Sequence, residues 1–266
     1  MSTQRENVSL WFQSSEPDYY LFFLKSWIPF NSWYVQQYPH LKKKDTEIIK
    51  AIQDGEDSKP RKIIENFLTN TNDYSAKEFK RHLAELHFNL EKNVLTHNDI
   101  RLTFKNLSLT GNPVKFRHFM DLENRVYKVE KTERYFQAYI EGKGGKVFLD
   151  FKKPVYDLEG LQKDIDFLRL EGKVKSKIIS LFKDIDPKKP ISLISISKKK
   201  GEFIYLESKN SIKFIYDEET VAKACIKVLY SLRCMLFHGE VTPNNANKKT
   251  YKYAFYILQL INKQIF

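Results

Sequence analysis

Residues 230–245, YSLRCMLFHGEVTPNN, decide how the C-terminal part of this chain folds. The stretch has the character of an apolar helix that carries one arginine, Arg233, and ends at His238 and Gly239. Gly239 is a natural residue to stop a helix, because glycine adopts the left-handed conformation at little steric cost. The TPNN that follows predicts a turn, and the remaining residues predict a last amphipathic helix. The question is what an arginine inside an apolar helix and a histidine at its exit do.

The helix that contains this stretch has a clear start and an unusual surface. Asp217 is a residue type that caps helices, so we predict a helix over residues 218–237. At about 100° per residue, two apolar stripes run along it with a narrow polar strip between them. The polar strip consists of Lys223, Lys227, Ser231, Cys234 and His238. A helix that is apolar on two sides is predicted to be central in a bundle or shared with another subunit.

Arg233 and His238 are the candidate reactive residues. Five residues correspond to about 140° around a regular helix, so the two side chains do not share a face and a site must draw on more than one element or chain. A histidine titrates near neutral pH and can take or give a proton on a ribose hydroxyl or leaving oxygen. An arginine can hold a phosphate with two donors. The pair therefore predicts RNA cleavage without a metal.

The same stretch resembles the HEPN superfamily of helical bacterial and archaeal proteins. Many members carry a segment of the form Leu-Tyr-x-x-Arg-Cys-x-Leu-Phe-His-Gly, followed by a short loop and a last helix. The residues that match this form are Leu229, Tyr230, Arg233, Cys234, Leu236, Phe237, His238 and Gly239. The resemblance is strong over residues 217–266 and weaker over the N-terminal helices.

The resemblance implies a mainly α fold, a HEPN-like helical bundle, and a metal-independent endoribonuclease that leaves a cyclic phosphate. It implies that His238 is the acid/base and Arg233 the phosphate clamp, in a cleft between two subunits of a homodimer. Active members often have Asn, Asp or His after the arginine, where this chain has Cys234; Ser231 and Glu240 are the candidates to support His238 instead. The implied setting is a toxin or anti-phage defence effector, with an antitoxin or regulatory protein as a possible partner.

The N-terminal third, residues 1–99, predicts the first part of the helical bundle. SEPD at 15–18 predicts a capped helix start, and Pro29 predicts a kink or division in the helix that follows. Ser75 and Glu78 have the spacing of a capping box for a later helix.

The middle of the chain changes period. Alternating apolar residues and the hairpin-like sequence EGKGG predict a β-rich insert over residues 100–153. Residues 154–266 return to helix, apart from a strand-like or irregular stretch near 190–216, and carry the Arg233–His238 pair. The whole chain is therefore predicted to be α+β, with helices before and after a β-rich insert.

Composition and charge set limits on function. The chain has 266 residues, and 42% of them are hydrophobic, a composition that argues against a disordered or collagen-like protein. Its net charge of +12 favours a polyanionic partner such as RNA. Lys223 and Lys227 are the candidate RNA contacts. The two cysteines lie nine residues apart in one predicted helix, too far for a bridge, which fits the cytoplasm. No signal peptide or membrane-spanning segment is predicted.

Several other functions were weighed from the residues alone. The histidines match no zinc spacing, so we expect no metal, and no cofactor motif is apparent. The second reading is a non-catalytic HEPN module that binds RNA or a partner protein. A third reading is a regulatory subunit whose β-rich insert binds a small ligand.

Overall fold

The computed structural model describes residues 8, 17–41, 44–98, 100–109, 114–199, 201–206 and 212–266. About 53% of the described residues are helical and 16% are in strands, which makes the fold an α+β mixture, as predicted. The chain divides into two compact units. We call them the helical unit, formed by the chain before Ser108 and after Ile191, and the insert, Ser108–Ile191.

The helical unit combines helices from both ends of the chain with two short hairpins. Its first part contains α1 (Tyr19–Gln37), a 3-10 turn (Pro39–Leu41), α2 (Asp45–Asp54), α3 (Lys59–Thr69), α4 (Tyr74–Lys92), β1 (Thr96–His97) and β2 (Ile100–Arg101). Its second part, after the insert, contains β7 (Phe203–Tyr205), β8 (Lys213–Ile215), α8 (Glu218–Phe237) and α9 (Asn245–Ile265). The stretch near 190–216, predicted to be strand-like or irregular, is a β7–β8 hairpin with an isolated bridge between Ile194 and Phe214.

Side-chain caps fix where these helices begin. The Asp217 carboxylate accepts a hydrogen bond from the Thr220 amide at 2.9 Å, which confirms the predicted start of α8. Asp18 caps α1 in the same way, whereas Ser15 lies outside the described residues. Helix α1 continues through Pro29 without the predicted division.

The predicted capping box of α4 is wrong. Asp73, not Ser75, is the N-cap, and its carboxylate accepts a hydrogen bond from the Ala76 amide at 2.8 Å. Glu78 instead pairs with Arg81. The full charge of the aspartate suits the helix terminus, so the helix begins two residues earlier than the Ser75 spacing indicates.

Helix α8 is the central element of the helical unit. It packs against α1, α2, α3 and α9, which fits the predicted central position in a bundle. One apolar stripe is fully buried (Val221, Cys225, Val228, Leu232 and Met235), whereas Phe237 of the second stripe is exposed. The Tyr251 hydroxyl on α9 donates to the Leu232 carbonyl of α8 at 2.9 Å. Helix α9 in turn packs along α1 and α4, where the Asn262 side chain donates to the Ser26 carbonyl at 2.9 Å.

The insert is an antiparallel sheet with helices on one face. Strands β3 (Phe116–Met120), β4 (Val126–Lys131), β5 (Phe136–Glu141) and β6 (Val147–Lys153) pair in sequence order. Helices α5 (Leu158–Lys163), α6 (Ile165–Leu168) and α7 (Gly172–Asp184) follow. The predicted EGKGG hairpin is confirmed between β5 and β6, with both Gly144 and Gly145 at φ +82°.

The observed insert starts later and ends later than the predicted 100–153. Residues after 153, which we assigned to the C-terminal part of the bundle, contain α5 to α7, and these helices share a core with the sheet. Their apolar side chains, such as Phe167 and Phe182, bury against inner-face residues such as Val129 and Ile140, which explains why they stay with the insert. Within the described ranges, no helix combines the length and apolar character needed to cross a bilayer.

Candidate active site

The C-terminal end of α8 presents His238 to solvent through a specific turn. Gly239 has φ +68°, and its amide donates to the Leu236 carbonyl at 3.3 Å. The Glu240 amide donates to the Met235 carbonyl at 2.9 Å. These two bonds form a Schellman motif, which satisfies carbonyls that the helix end would leave unpaired. His238 is the C-cap of this motif and its side chain is exposed, as the sequence predicted.

Arg233 lies one turn earlier and is held by side chains of the helical unit. Its Nη2 is 3.3 Å from the Asp45 carboxylate on α2, and the guanidinium carbon lies 4.3 Å from the centroid of the Phe237 ring. The side chain is 22% exposed. Its Nε is buried and has no hydrogen-bond partner among the described residues. Arg233 is therefore partly accessible, with its charge offset by one carboxylate.

Asp45 is held by a second donor besides Arg233. The Tyr34 hydroxyl donates to the Asp45 carboxylate, and Asn31 donates to the same hydroxyl. Burial and the neighbouring carboxylate both raise the pKa of Tyr34, so its hydroxyl stays protonated at neutral pH. A guanidinium and a phenol therefore converge on one carboxylate at the start of α2.

A second imidazole lies at the same helix end. His97 in β1 has its Nδ1 2.7 Å from the Glu240 carboxylate, and its Nε2 is 3.3 Å from the Asn98 side-chain nitrogen. Glu240 accepts the Nδ1–H, so in the neutral ring Nε2 carries the lone pair. The two side chains are 21% and 30% exposed. Glu240 follows His238 by two residues, so the His97–Glu240 pair is attached to the turn that ends α8.

Sequence reasoning proposed Glu240 as support for His238, and the structure gives it a different partner. The bond joins residues 143 positions apart, so no local spacing could reveal it. His97 was considered only as one of several scattered histidines. The predicted β-type pattern begins at Ile100, so it gave no signal for His97, which lies in β1.

The other predicted site residues lie inside the fold. Ser231 and Cys234 are buried, and Cys234 Sγ is 4.0 Å from an Arg233 nitrogen. No hydrogen bond joins either side chain to His238 in the described part of the chain. Nor does one join Arg233 to His238 within the same ranges, in keeping with the angular mismatch predicted from the helix period.

The two predicted RNA-contact lysines are engaged within the protein. Lys223 is 2.8 Å from the Glu219 carboxylate and 3.8 Å from that of Asp54. Burial lowers the pKa of Lys227, which is half-buried. An ion-paired lysine and a half-buried one are weak sites for phosphate, because a phosphate contact would have to displace a carboxylate or follow a rearrangement.

The remaining histidines do not converge. His82 is stacked on Tyr256 with ring centroids 4.8 Å apart, and His87 packs against Phe104 and Phe214. His118 lies on a strand of the insert. Among the described residues, no group of three or more His, Cys, Asp or Glu side chains is arranged to hold a metal ion.

Comparison of the chain with protein-family models, curated protein sequences and solved structures found no match. The site must therefore be interpreted from its own chemistry. It contains an exposed imidazole, a second imidazole held by a carboxylate, and a partly exposed guanidinium, all supplied by the last turn of α8 and the segments beside it. Two imidazoles and a guanidinium are sufficient for acid–base chemistry at a phosphodiester.

Proposed function

We propose that this chain is a HEPN-like, metal-independent endoribonuclease whose reaction takes place at the end of α8. The observation that carries the proposal is the exposed His238 at the end of α8, two residues before Glu240, whose carboxylate holds the imidazole of His97. RNA cleavage by the ribose 2′-hydroxyl needs one group to remove a proton and another to supply one. Two imidazoles at one helix end meet that requirement without a metal.

The reaction follows from the roles that each side chain can take. The 2′-hydroxyl first replaces the Asn98 amide, which donates to His97 Nε2, and that nitrogen then removes the hydroxyl proton. Glu240 orients the ring and stabilises the imidazolium that forms. The 2′-oxygen attacks phosphorus, and the bond to the 5′-oxygen breaks. Protonated His238 gives its proton to that leaving oxygen, and the negative end of the helix dipole attracts the cationic ring. The products are a 2′,3′-cyclic phosphate and a free 5′-hydroxyl.

Arg233 is proposed to hold the phosphate in the transition state. Binding requires the guanidinium to exchange Asp45 for the phosphate, the same displacement of a carboxylate that a phosphate contact at Lys223 would need, but a guanidinium can hold the phosphate with two donors. The exposed side chain of Phe237, with 62% of its surface accessible, offers an apolar contact for a second copy of the chain beside the site. We therefore propose a homodimer with the active cleft at the interface.

One observation favours a second function, a non-catalytic HEPN module that binds RNA or a partner protein. The ion pair with Asp45 and the contact with Phe237 give Arg233 a structural role that needs no substrate. In that case RNA binding survives the His238→Ala change and the wild type cleaves nothing.

The biological setting that accompanies the nuclease proposal is a cytoplasmic toxin or anti-phage defence effector. Such an enzyme needs control, so an antitoxin or another regulatory partner belongs to the proposal. The insert is the part of the chain available to serve as a regulatory region, and a small-ligand site there is a further hypothesis. A ligand-induced thermal shift would be its sign.

The test is cleavage of total RNA in EDTA by wild type, His238→Ala and the matched exposed-histidine control His118→Ala. We expect the wild type and the control to cleave equally, and the His238→Ala rate to fall at least on the order of a hundredfold. Cleavage by His238→Ala at the wild-type rate would remove His238 from the mechanism. RNA binding without cleavage by any of the three proteins would favour the non-catalytic module.

A further inference from the structure

Helix α9 has a strongly one-sided charge. Between Asn245 and Ile265 it contains four lysines and no aspartate or glutamate. One side of the helix is buried against α1 and α4, so its charged side chains lie on the remaining side. A helix whose solvent side is purely cationic produces a positive potential that its own residues do not offset.

The first part of this surface is a cleft at the N-terminal end of α9. The cleft has a volume of about 430 Å³ and is bordered by Pro17, the first residue of α1 and residues of α9. Its described lining comprises Pro17, Tyr19, Asn245, Lys248, Lys249 and Lys252. Three of these six residues are cations and none is acidic, so the cleft suits an anion.

A second cleft of about 420 Å³ continues along the helix and shares Lys252 with the first. It adds two cations, Arg81 on α4 and Lys263 near the end of α9. The one carboxylate in its described lining is Glu78, which is 2.6 Å from an Arg81 nitrogen. That hydrogen bond lowers the pKa of Glu78, so its charge serves mainly to hold Arg81. The cationic surface thus extends from Lys248 to Lys263, about 22 Å at 1.5 Å per residue.

Tyrosines alternate with these cations. Lys252 Nζ lies 5.5 Å from the centroid of the Tyr19 ring and 5.8 Å from that of Tyr253. Tyr74, at the start of α4, lines the second cleft with 76% of its surface exposed. Tyr74 is exposed, whereas Tyr19 and Tyr253 are half-buried; their accessible ring surfaces can stack with unpaired bases while the lysines contact the phosphates.

We infer that this α9 surface, the two clefts that share Lys252, binds the backbone of single-stranded RNA. The inference rests on the proposed nuclease function and extends it, since it names the path of the substrate strand. Asn244, the N-cap of α9, lies five residues after Gly239, so the surface begins close to the end of α8. An RNA strand that reaches the two imidazoles therefore runs along α9 and does not pass over the ion-paired Lys223.

An acidic protein segment is the main rival occupant, because it would satisfy the same lysines. The tyrosine rings favour RNA, since they add stacking that an acidic peptide cannot use. The salt dependence of binding further distinguishes RNA from an acidic protein segment. Each phosphate contact on single-stranded RNA contributes about 0.7 to the slope of log affinity against log salt.

The test measures binding without turnover, in the full-length His238→Ala protein. Fluorescence anisotropy with a labelled 12-nucleotide unstructured RNA compares this background with K248Q/K249Q/K252Q and with a matched control in the insert, K143Q/K163Q/K173Q. Both triple variants lower the net charge from +12 to +9, and circular dichroism checks their folding.

We expect the α9 variant to bind roughly tenfold or more weakly, with a salt slope smaller by about 2, and the control to bind like the background. Equal losses in the two variants would show that only net charge matters and would overturn the inference. Unchanged RNA binding in the α9 variant would also overturn it. The same holds if the α9 variant loses binding to a polyglutamate probe but keeps its affinity for RNA. Because no cleavage is measured, a protein that binds RNA through α9 but never cuts it would overturn only the nuclease proposal.

Discussion

At the end of α8, some of the candidate site residues could be predicted from the sequence and others could not. His238 and Gly239 are adjacent, and the helix period together with the glycine was enough to predict an exposed imidazole at a helix exit. The bonds of Arg233 to Asp45 and of His97 to Glu240 cross the fold. Tertiary packing sets such pairs, and a single sequence contains no local signal for them.

The Glu240→Gln substitution tests whether His97 takes part in the reaction. In Glu240→Gln the carboxylate that receives the His97 Nδ1–H becomes a neutral amide, so the ring loses its orientation and its imidazolium loses a counter-charge. We expect the single-turnover rate to fall on the order of a hundredfold, with RNA affinity unchanged.

The matched control is Glu159→Gln, an exposed glutamate of the insert whose carboxylate lies 3.5 Å from Lys163 Nζ. It should leave both the rate and the affinity unchanged. If Glu240→Gln cleaved as fast as the wild type, His97 would be a structural neighbour of the site and a different group would have to act as the base.

Helices α8 and α4 show how local sequence and packing together determine where a helix begins and ends. The Asp217 cap and the Gly239 stop fixed the ends of α8 in advance, whereas the α4 cap moved to Asp73 because several residues there can cap a helix. Helical spacing predicts one apolar face from five residues (Phe79, Leu83, Leu86, Leu90 and Val94). The first four are buried, and Val94 lies beyond the helix end and is exposed.

Gly239→Ala tests the turn that presents His238. No atom lies within 4 Å of a Cβ built at Gly239, so the cost comes from the backbone, which has φ +68°. We expect the free energy of unfolding to fall by about 1 kcal/mol, measured by urea denaturation. Gly172→Ala is the control, since that glycine also has open space but no left-handed φ. Equal effects of the two substitutions would show that the turn conformation is not the cause.

The buried His82 on α4 should make the free energy of unfolding depend on pH. Burial lowers the pKa of His82 to about 4, and the charge of Arg81 acts in the same direction, while Glu78 partly opposes them. An unfolded histidine titrates near 6.5, so between pH 6.5 and 4 the unfolded chain binds more protons than the native protein. Stability should therefore fall as pH falls through this window, by about 3 kcal/mol at most from this residue.

Urea denaturation at pH 7, 5.5 and 4.5 measures this effect. His82→Gln should flatten the dependence, because its side chain does not titrate, whereas the exposed control His40→Gln should keep it. An unchanged pH slope in His82→Gln would mean that other groups, including the buried His87, account for the acid sensitivity.

At the scale of the whole molecule, the α+β composition and the order of helices, insert and helices were predictable from the change of hydrophobic period. The boundaries of the insert were not. Helices α5 to α7 have ordinary amphipathic sequences, and nothing in them states whether they pack on the sheet or in the bundle. That choice depends on the apolar inner face of β4 to β6, which is known only once the strands are paired.

The division into two units predicts that the insert can be removed. The Leu193 amide donates to the Phe104 carbonyl at 2.9 Å, so the chain leaves and re-enters the helical unit at neighbouring points. Replacing residues 108–191 with a short Gly-Ser linker should leave a cooperatively unfolding helical protein that still binds RNA, as judged by a thermal melt and anisotropy. A variant without a cooperative melt would show that the helical unit depends on the insert.

The central claim is that the end of α8 cleaves RNA by activating a 2′-hydroxyl without a metal. The most direct test is to incubate a labelled oligoribonucleotide with wild type and His238→Ala in EDTA and to identify the product ends by mass spectrometry. We predict 2′,3′-cyclic phosphate and 5′-hydroxyl ends with wild type, and intact substrate with His238→Ala. Products with 3′-hydroxyl and 5′-phosphate ends, or the same products from both proteins, would contradict it.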